Sequence, residues 1–412
     1  MSDGRRRRGR DPGERAAIAV RTPGPVLELT VTALASGGDG IARDATGRVT
    51  FIPRTVPGDV VRAQVSQATS SFARAKLVEV VTPSPDRVEP PCGHFTRGCG
   101  GCQWQHVARG VQLAAKHGNV AGALRKLVGL AVHPIAEPAP VLHWRRRARF
   151  HVTAGAVGLY ELDSHHVIGI DHCPQLEAAL DAALAQVASS SPPDGELALV
   201  VGHAGDVAVA VDRPWRGAAA LVGKAAIRGV IAGGEVHGAP VIEIEPGLWG
   251  GPRTFAQASA AGNAALIART REVVGQGPGR LLELYAGSGN FTRGFIADRW
   301  DVLATDVVAP ERPLGLVGAE HRAGAVKDVL AALAGPFDVV VLDPPRAGAA
   351  EAIEDIARLA PRTIAYVSCD PATLARDATR LVALGYQATD AWPFDLMPQT
   401  SHVEVVMALV RG

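Results

Sequence analysis

The chain has 412 residues, 47% of them hydrophobic and 20% charged, with a formal net charge of +1. That length exceeds one compact core and implies two or three domains, while the near-neutral charge gives no whole-protein electrostatic argument for a nucleic-acid partner. No apolar run approaches the ~20 residues of a bilayer span, and the arginine-rich beginning has no secretory-type apolar segment behind it. A cytoplasmic location without membrane association is expected.

Arg5 to Arg8 with Arg10 give residues 1–22 a basic tail, expected to be disordered, which reads either as a non-specific phosphate contact or as a solvated tail. Residues 23–83 read as short strands. Leu27, Leu29 and Val31 alternate with polar or small neighbours, Gly37-Gly38-Asp39-Gly40 makes a turn, and Val49 to Ile52 and Val60 to Val65 come next, separated by Pro57-Gly58-Asp59. Such spacing suggests a small barrel, closed by a linker at Thr82-Pro83-Ser84-Pro85. Residues 84–250 are mixed α+β, with a helical stretch near Val111 to Leu130 and a strand at Leu197 to Val201. Arg145, Arg146, Arg147 and Arg149 come after Trp144 on a strand that reads as an RNA contact or a solvated face. Over 251–412, strands at Arg280 to Leu284, Val302 to Thr305, Asp338 to Leu342 and Thr363 to Val367 alternate with helices. This is the pattern of an α/β domain with a parallel sheet, whose ligands bind at the carboxyl ends of the strands.

The five cysteines carry more information. Cys92, Cys99 and Cys102 form Cys-x6-Cys-x2-Cys, with Cys173 and Cys369 isolated. An odd count in a reducing compartment argues for metal binding or catalysis over a disulfide framework. Four thiolates at 92, 99, 102 and 173 suit tetrahedral zinc or an iron–sulfur cluster, and spacing does not choose between them.

Leu281-Leu282-Glu283-Leu284-Tyr285-Ala286-Gly287-Ser288-Gly289-Asn290 runs from an apolar strand into a glycine turn, where the backbone can approach a ligand closely. Asp306 ends the next strand, placed to accept hydrogen bonds from a ribose diol; the same pattern fits dinucleotide enzymes. Asp343-Pro344-Pro345-Arg346 and Ser368-Cys369-Asp370-Pro371 lie at the ends of two further strands, and Asp395 to Glu404 comes near the C-terminus. Together they suit methylation of a pyrimidine carbon. C5 of uracil is a poor nucleophile until a thiolate adds at C6, and a base must then remove the C5 proton. Cys369 and Glu404 are the candidates.

These motifs resemble the RNA 5-methyluridine methyltransferases, specifically the branch with an iron–sulfur cluster that acts on 23S ribosomal RNA. Gly37 to Ala42, Val56-Pro57-Gly58-Asp59 and Pro83 to Arg87 are similar to the TRAM domain, an oligonucleotide-binding fold, and to the stretch just after it. Cys99-Gly100-Gly101-Cys102-Gln103-Trp104-Gln105-His106 is similar to the family's cluster loop. The resemblance implies a Rossmann-like class I methyltransferase domain at 251–412, a TRAM barrel at 23–83 and a central cluster-bearing domain at 84–250. The helical segment near 103–135 is expected to pack on the catalytic domain. It implies a [4Fe-4S] cluster on Cys92, Cys99, Cys102 and Cys173, Cys369 as nucleophile, Glu404 as base, and S-adenosylmethionine contacts at Gln257, Tyr285, Gly287, Gly289, Asn290, Asp306 and Asp343, with Asp328 on the adenine side. Departures from the pattern are Ser259 for an Asn, Asp306 for a Glu, one extra residue before Cys99, and a short segment from Val307 to Lys327. RNA is the expected partner, and no obligatory protein partner is evident. The alternatives are a tRNA enzyme, although the typical bacterial one lacks barrel and cluster loop, and a catalytically silent RNA-binding protein.

Overall fold

The computed structural model describes residues 24–308 and 319–412. The basic tail and part of the segment between Val307 and Lys327 lie outside them. The chain divides into two compact units, Met1–Arg87 and Val88–Gly412.

The first unit is a closed five-stranded barrel in the order Val26–Leu34, Gly40–Arg43, Val49–Ile52, Phe72–Thr82, Val60–Ala68. Inward residues of alternating strands (Leu29, Val31, Ile52, Val61, Ala63, Ala75) fill it. Asp59 explains the Val-Pro-Gly-Asp motif: fully buried, it accepts from the Val56 and Ser84 backbones at 2.7 and 2.8 Å and from Arg87. Burial works against its charge, but these donors outweigh it and hold the carboxyl below its ordinary range.

The second unit holds two large sheets. The central one has seven strands, ordered Glu235–Gly238, Ile227–Ala232, Val207–Val211, Gly195–Val201, Arg147–Thr153, Ala156–Tyr160, Val167–Gly169. It packs helix Ala178–Ala188 on one face through Phe150, Leu180, Leu184, Leu197 and Val209. The four arginines read as one group divide. Arg146 is fully buried and pairs with Glu245, also donating to the Ile244 carbonyl at 2.6 Å. Arg145 lies over Trp144, Arg147 over Phe255, and Arg149 faces Glu196 at 3.4 Å. They form neither one solvated face nor one patch.

The other sheet has eight strands: Ala319–Ala323, Asp301–Asp306, Arg280–Leu284, Val339–Leu342, Thr363–Ser368, Glu404–Arg411, Tyr386–Phe394 and Ala131–Val132. The first five are parallel, and Glu404–Arg411 is inserted antiparallel before Tyr386–Phe394. Order reverses at Arg280–Leu284, which lies between the strand next in the chain and Val339–Leu342, so a ligand crevice opens at that switch point. Helix Arg109–Leu124 joins this sheet although the central sheet comes after it in the chain. Its buried residues, Gln112, Lys116, Val120 and Leu124, are spaced by four and share one face. Val120 and Leu124 enter the apolar cluster of Leu374, Ala378 and Leu381. The helix ends at Leu124, short of Leu130, and after it Gly129 (φ 81°) turns the chain into Ala131–Val132, which pairs with Tyr386–Phe394.

Candidate active site

The parallel strands end at one edge of the eight-stranded sheet, and the antiparallel Glu404–Arg411 begins there. In that antiparallel pair Ser368 stands opposite Val405, so the chain leaving one strand at Cys369 faces the chain entering the other at Glu404. Ser368-Cys369-Asp370-Pro371 is a tight strand-to-helix turn. The Ser368 hydroxyl accepts from the Asp370 backbone N–H at 3.2 Å. Asp370 caps helix Pro371–Ala383 by accepting from Ala372 and Thr373 at 2.9 and 3.0 Å, with Pro371 in the first turn, where its missing N–H costs nothing. The cysteine is therefore held at a fixed corner.

Asp343 ends the neighbouring strand and accepts from Gln257 Nε2 at 3.4 Å. Burial alone pushes its carboxyl up to about 7. Glu404 is buried, and burial with the Asp343 charge pushes its carboxyl well above the ordinary range, against Arg346. Burial, then Glu404 and Asp343, push the Cys369 thiol up to about 11, and Arg346 again opposes them. Arg346 Nη2 also lies 3.4 Å from His402 Nε2, and burial with that cation pushes His402 down to about 4, keeping it neutral.

The glycine loop lies over the switch point. Tyr285, Gly287 and Gly289 all take positive φ (61°, 54° and 88°), and nothing lies within 4 Å of where a Cβ on Gly287 would stand, leaving open space above the loop. Asp306 Oδ2 accepts from the Gly287 N–H at 2.8 Å and Oδ1 from the Val308 N–H at 3.0 Å, which leaves each oxygen a further lone pair. Asn290 exchanges two hydrogen bonds with Asn263, which also donates to Glu245 at 3.1 Å. Asp328 is exposed in the first turn of helix Val326–Ala332. Ser259 caps helix Ala260–Val274 by accepting from Gly262, which gives the residue replacing Asn its own structural use.

The motifs did not point to Asn263, Glu245 or Glu283. Glu283 is buried beneath the glycine loop, accepts from Thr292 at 2.6 Å, and burial pushes its carboxyl up to about 8. Its position inside an apolar strand was the available signal.

Away from this edge, Cys92, Cys99, Cys102 and Cys173 line one cavity together with Phe95, Leu159 and Ile170. Burial raises the Cys102 thiol and pushes that of Cys173 up to about 12.

A parallel sheet with an antiparallel last strand inserted, a glycine loop after its first strand and an acidic residue ending the second define a methyltransferase that uses S-adenosylmethionine. The family model described as TRAM domain matches residues 20–78, and that of tRNA (Uracil-5-)-methyltransferase matches residues 330–412. The chain is 32% identical to the 23S rRNA (uracil(1939)-C(5))-methyltransferase RlmD of Pectobacterium atrosepticum, covering 95% of each. It is also 32% identical to an uncharacterized RNA methyltransferase of Caulobacter vibrioides, over 93% of this chain and all of that one. The Pyrococcus abyssi tRNA (uracil-54, C5)-methyltransferase, solved with S-adenosyl-L-homocysteine, shares the fold at a TM-score of 0.72 and 21% identity, over 93% of this chain and 100% of its own. The chain belongs to the RNA uracil-C5 methyltransferase family. No helix among the described residues is long and apolar enough to cross a membrane.

Proposed function

We propose that this chain methylates C5 of a uridine in 23S ribosomal RNA, with Cys369 as nucleophile and Glu404 as base. The observation that carries this reading is the placement of Cys369 opposite Glu404, beside Asp343 at the ligand edge of the sheet. The Cys369 thiolate adds to C6 of the uracil, and the C5–C6 electron pair moves to the O4 enolate. C5 then attacks the methyl group, which S-adenosylmethionine supplies in electrophilic form. Glu404 takes the C5 proton, the double bond re-forms and the thiolate departs. Arg346 lowers both the thiol and the Glu404 carboxyl, and so favours the ionised forms each step needs. Gln257, Tyr285, Gly287, Gly289, Asn290, Asp306 and Asp343 are assigned to the methyl donor, with Asp328 on its adenine side. The barrel and the central domain are assigned to RNA, and the uridine is extruded into the pocket, as reaction at a base requires.

The four cysteines around one cavity are assigned to a [4Fe-4S] cluster. Thiols raised by burial become thiolates only against a metal's positive charge. Four cysteines lining one cavity suit a group held by sulfur, and the choice of a cluster over tetrahedral zinc rests on the resemblance of the Cys99-to-His106 loop.

Ribosomal RNA is favoured by the named activity of the 32%-identical relative, whereas the structural neighbour is named for tRNA. The deciding assay offers unmodified 23S rRNA and tRNA transcripts separately with deuterated-methyl S-adenosylmethionine and reads nucleosides by mass spectrometry, with Cys369→Ala as control. Label in 5-methyluridine of rRNA alone is expected. Label in tRNA alone keeps the chemistry and overturns the substrate, and label from Cys369→Ala overturns the nucleophile.

A further inference from the structure

The segment from Asp395 to Val403, which leads into Glu404, is tied to the cysteine loop and to helix Arg109–Leu124 by an unusual density of buried polar contacts. The backbone N–H groups of Gln103 and Trp104, the two residues after Cys102, both donate to the Gln399 carbonyl, at 3.1 and 3.0 Å. Gln112 and Gln399 bond reciprocally: Gln112 Nε2 donates to Gln399 Oε1 at 3.0 Å, and the Gln399 N–H donates to Gln112 Oε1 at 3.2 Å. Gln112 Nε2 also reaches the Trp104 and Val107 carbonyls at 3.0 and 2.9 Å, and Gln103 Oε1 accepts from the Ser401 N–H at 3.4 Å. One turn further along the helix, the fully buried Lys116 donates to Asp395 Oδ1 at 2.5 Å and to the Met397 carbonyl at 3.1 Å.

At the centre of this network Gln399 has φ 67°, the left-handed region that is unfavourable for a residue with a side chain and persists only where the surroundings over-determine it. The bonds from Gln103, Trp104 and Gln112 are those surroundings. Without them the residue relaxes to negative φ, and the rotation is carried into the four residues that separate it from Glu404.

We propose that the Gln112 and Gln103 side chains are positioning groups for the base: Gln112 holds Gln399 in its left-handed conformation, Gln103 holds Ser401 just beyond it, and together they keep Glu404 opposite Cys369. This rests on Glu404 being the base. The main effect falls on the second half of the reaction, because Cys369 follows a different strand and stands in a separately capped turn.

The test is single-turnover kinetics of Gln112→Met with a 23S rRNA transcript, following the covalent RNA–protein adduct on denaturing gels. Loss of buried hydrogen bonds of ordinary strength is expected to slow resolution of the adduct about tenfold. Adduct formation should stay within about twofold to threefold, and S-adenosylhomocysteine affinity should be unchanged, so adduct accumulates. Equal slowing of both steps, or no slowing of resolution, overturns the proposal. Gln103→Ala removes the half-buried partner of the Ser401 N–H and of the Gly100 carbonyl, leaves the backbone bond to Gln399, and must show the same split in smaller degree; it decides the matter where Gln112→Met fails to fold. Glu404→Gln run alongside separates the two readings. If it accumulates adduct and both positioning variants do not, the clamp falls alone. If Glu404→Gln resolves adduct at the wild-type rate, the base assignment falls.

Discussion

Cys369 faces Glu404 across the end of an antiparallel strand pair, and the glutamate stands second only to burial among the causes that push the cysteine thiol up to about 11. The charged form of Glu404 thus hinders ionisation of the nucleophile at rest. Below the thiol pKa the thiolate fraction grows tenfold per pH unit. The rate of adduct formation is therefore expected to rise nearly log-linearly from neutrality to about pH 9, and Arg346→Gln, which removes the opposing cation, is expected to lower the curve while keeping its slope. Quench-gel rates across that range check this; a flat profile excludes a thiol raised in this way.

The raised Asp343 carboxyl bears on the methyl donor. Its charge is absent below about 7 and present above. S-adenosylmethionine is a sulfonium cation and S-adenosylhomocysteine is neutral, so only the former gains from that ionisation. Its affinity relative to the neutral product should climb about tenfold from pH 6 to pH 8. Titration calorimetry of both ligands measures the ratio, and Asp343→Asn should flatten it. A constant ratio in the wild-type protein would place Asp343 away from the sulfonium.

Much of this edge was legible because apolar runs bounded by glycine, proline or aspartate mark buried parallel strands well. The expected strand from Arg280 to Leu284 matches its limits, and that from Thr363 to Val367 falls one residue short. Facing of Cys369 and Glu404 was not legible, since nothing in chain order says that Glu404–Arg411 inserts antiparallel inside Tyr386–Phe394. Val207–Val211 was lost in the central region for the opposite reason: it is buried on both faces and shows no alternation. Arg146 misled because sequence placed it among arginines with different surroundings.

That residue offers a stability prediction. Arg146 is buried beside Glu245, and breaking such a pair by removing one partner costs about 3 kcal/mol. Arg146→Met should lower the unfolding midpoint of the second unit clearly, and Arg149→Met, exposed on the strand Arg147–Thr153 that begins at the next residue, should leave it unchanged. Were Arg146→Met as stable as the parent and weaker only in RNA binding, the residue would be a surface contact after all.

Metal content tests the cysteine cavity. Protein purified without oxygen should carry about four irons with matching sulfide, and Cys102→Ala or Cys173→Ala should lose most of both. Stoichiometric zinc with no sulfide would replace the cluster assignment by a mononuclear site. Chelation of the iron should also loosen the Gln103 and Trp104 bonds to Gln399, seen as faster amide exchange around residues 397–403.

Helix Arg109–Leu124 and strand Ala131–Val132 complete a sheet whose other members begin at Arg280 and whose pairing edge, Tyr386–Phe394, ends shortly before the last strand. During synthesis that helix leaves the ribosome long before its partners exist, and its apolar face at Val120 and Leu124 must wait through the whole central sheet. The catalytic half therefore cannot mature as an independent C-terminal piece. A fragment starting at residue 251 would bare the Leu374, Ala378 and Leu381 surface together with an open strand edge, the combination that drives self-association.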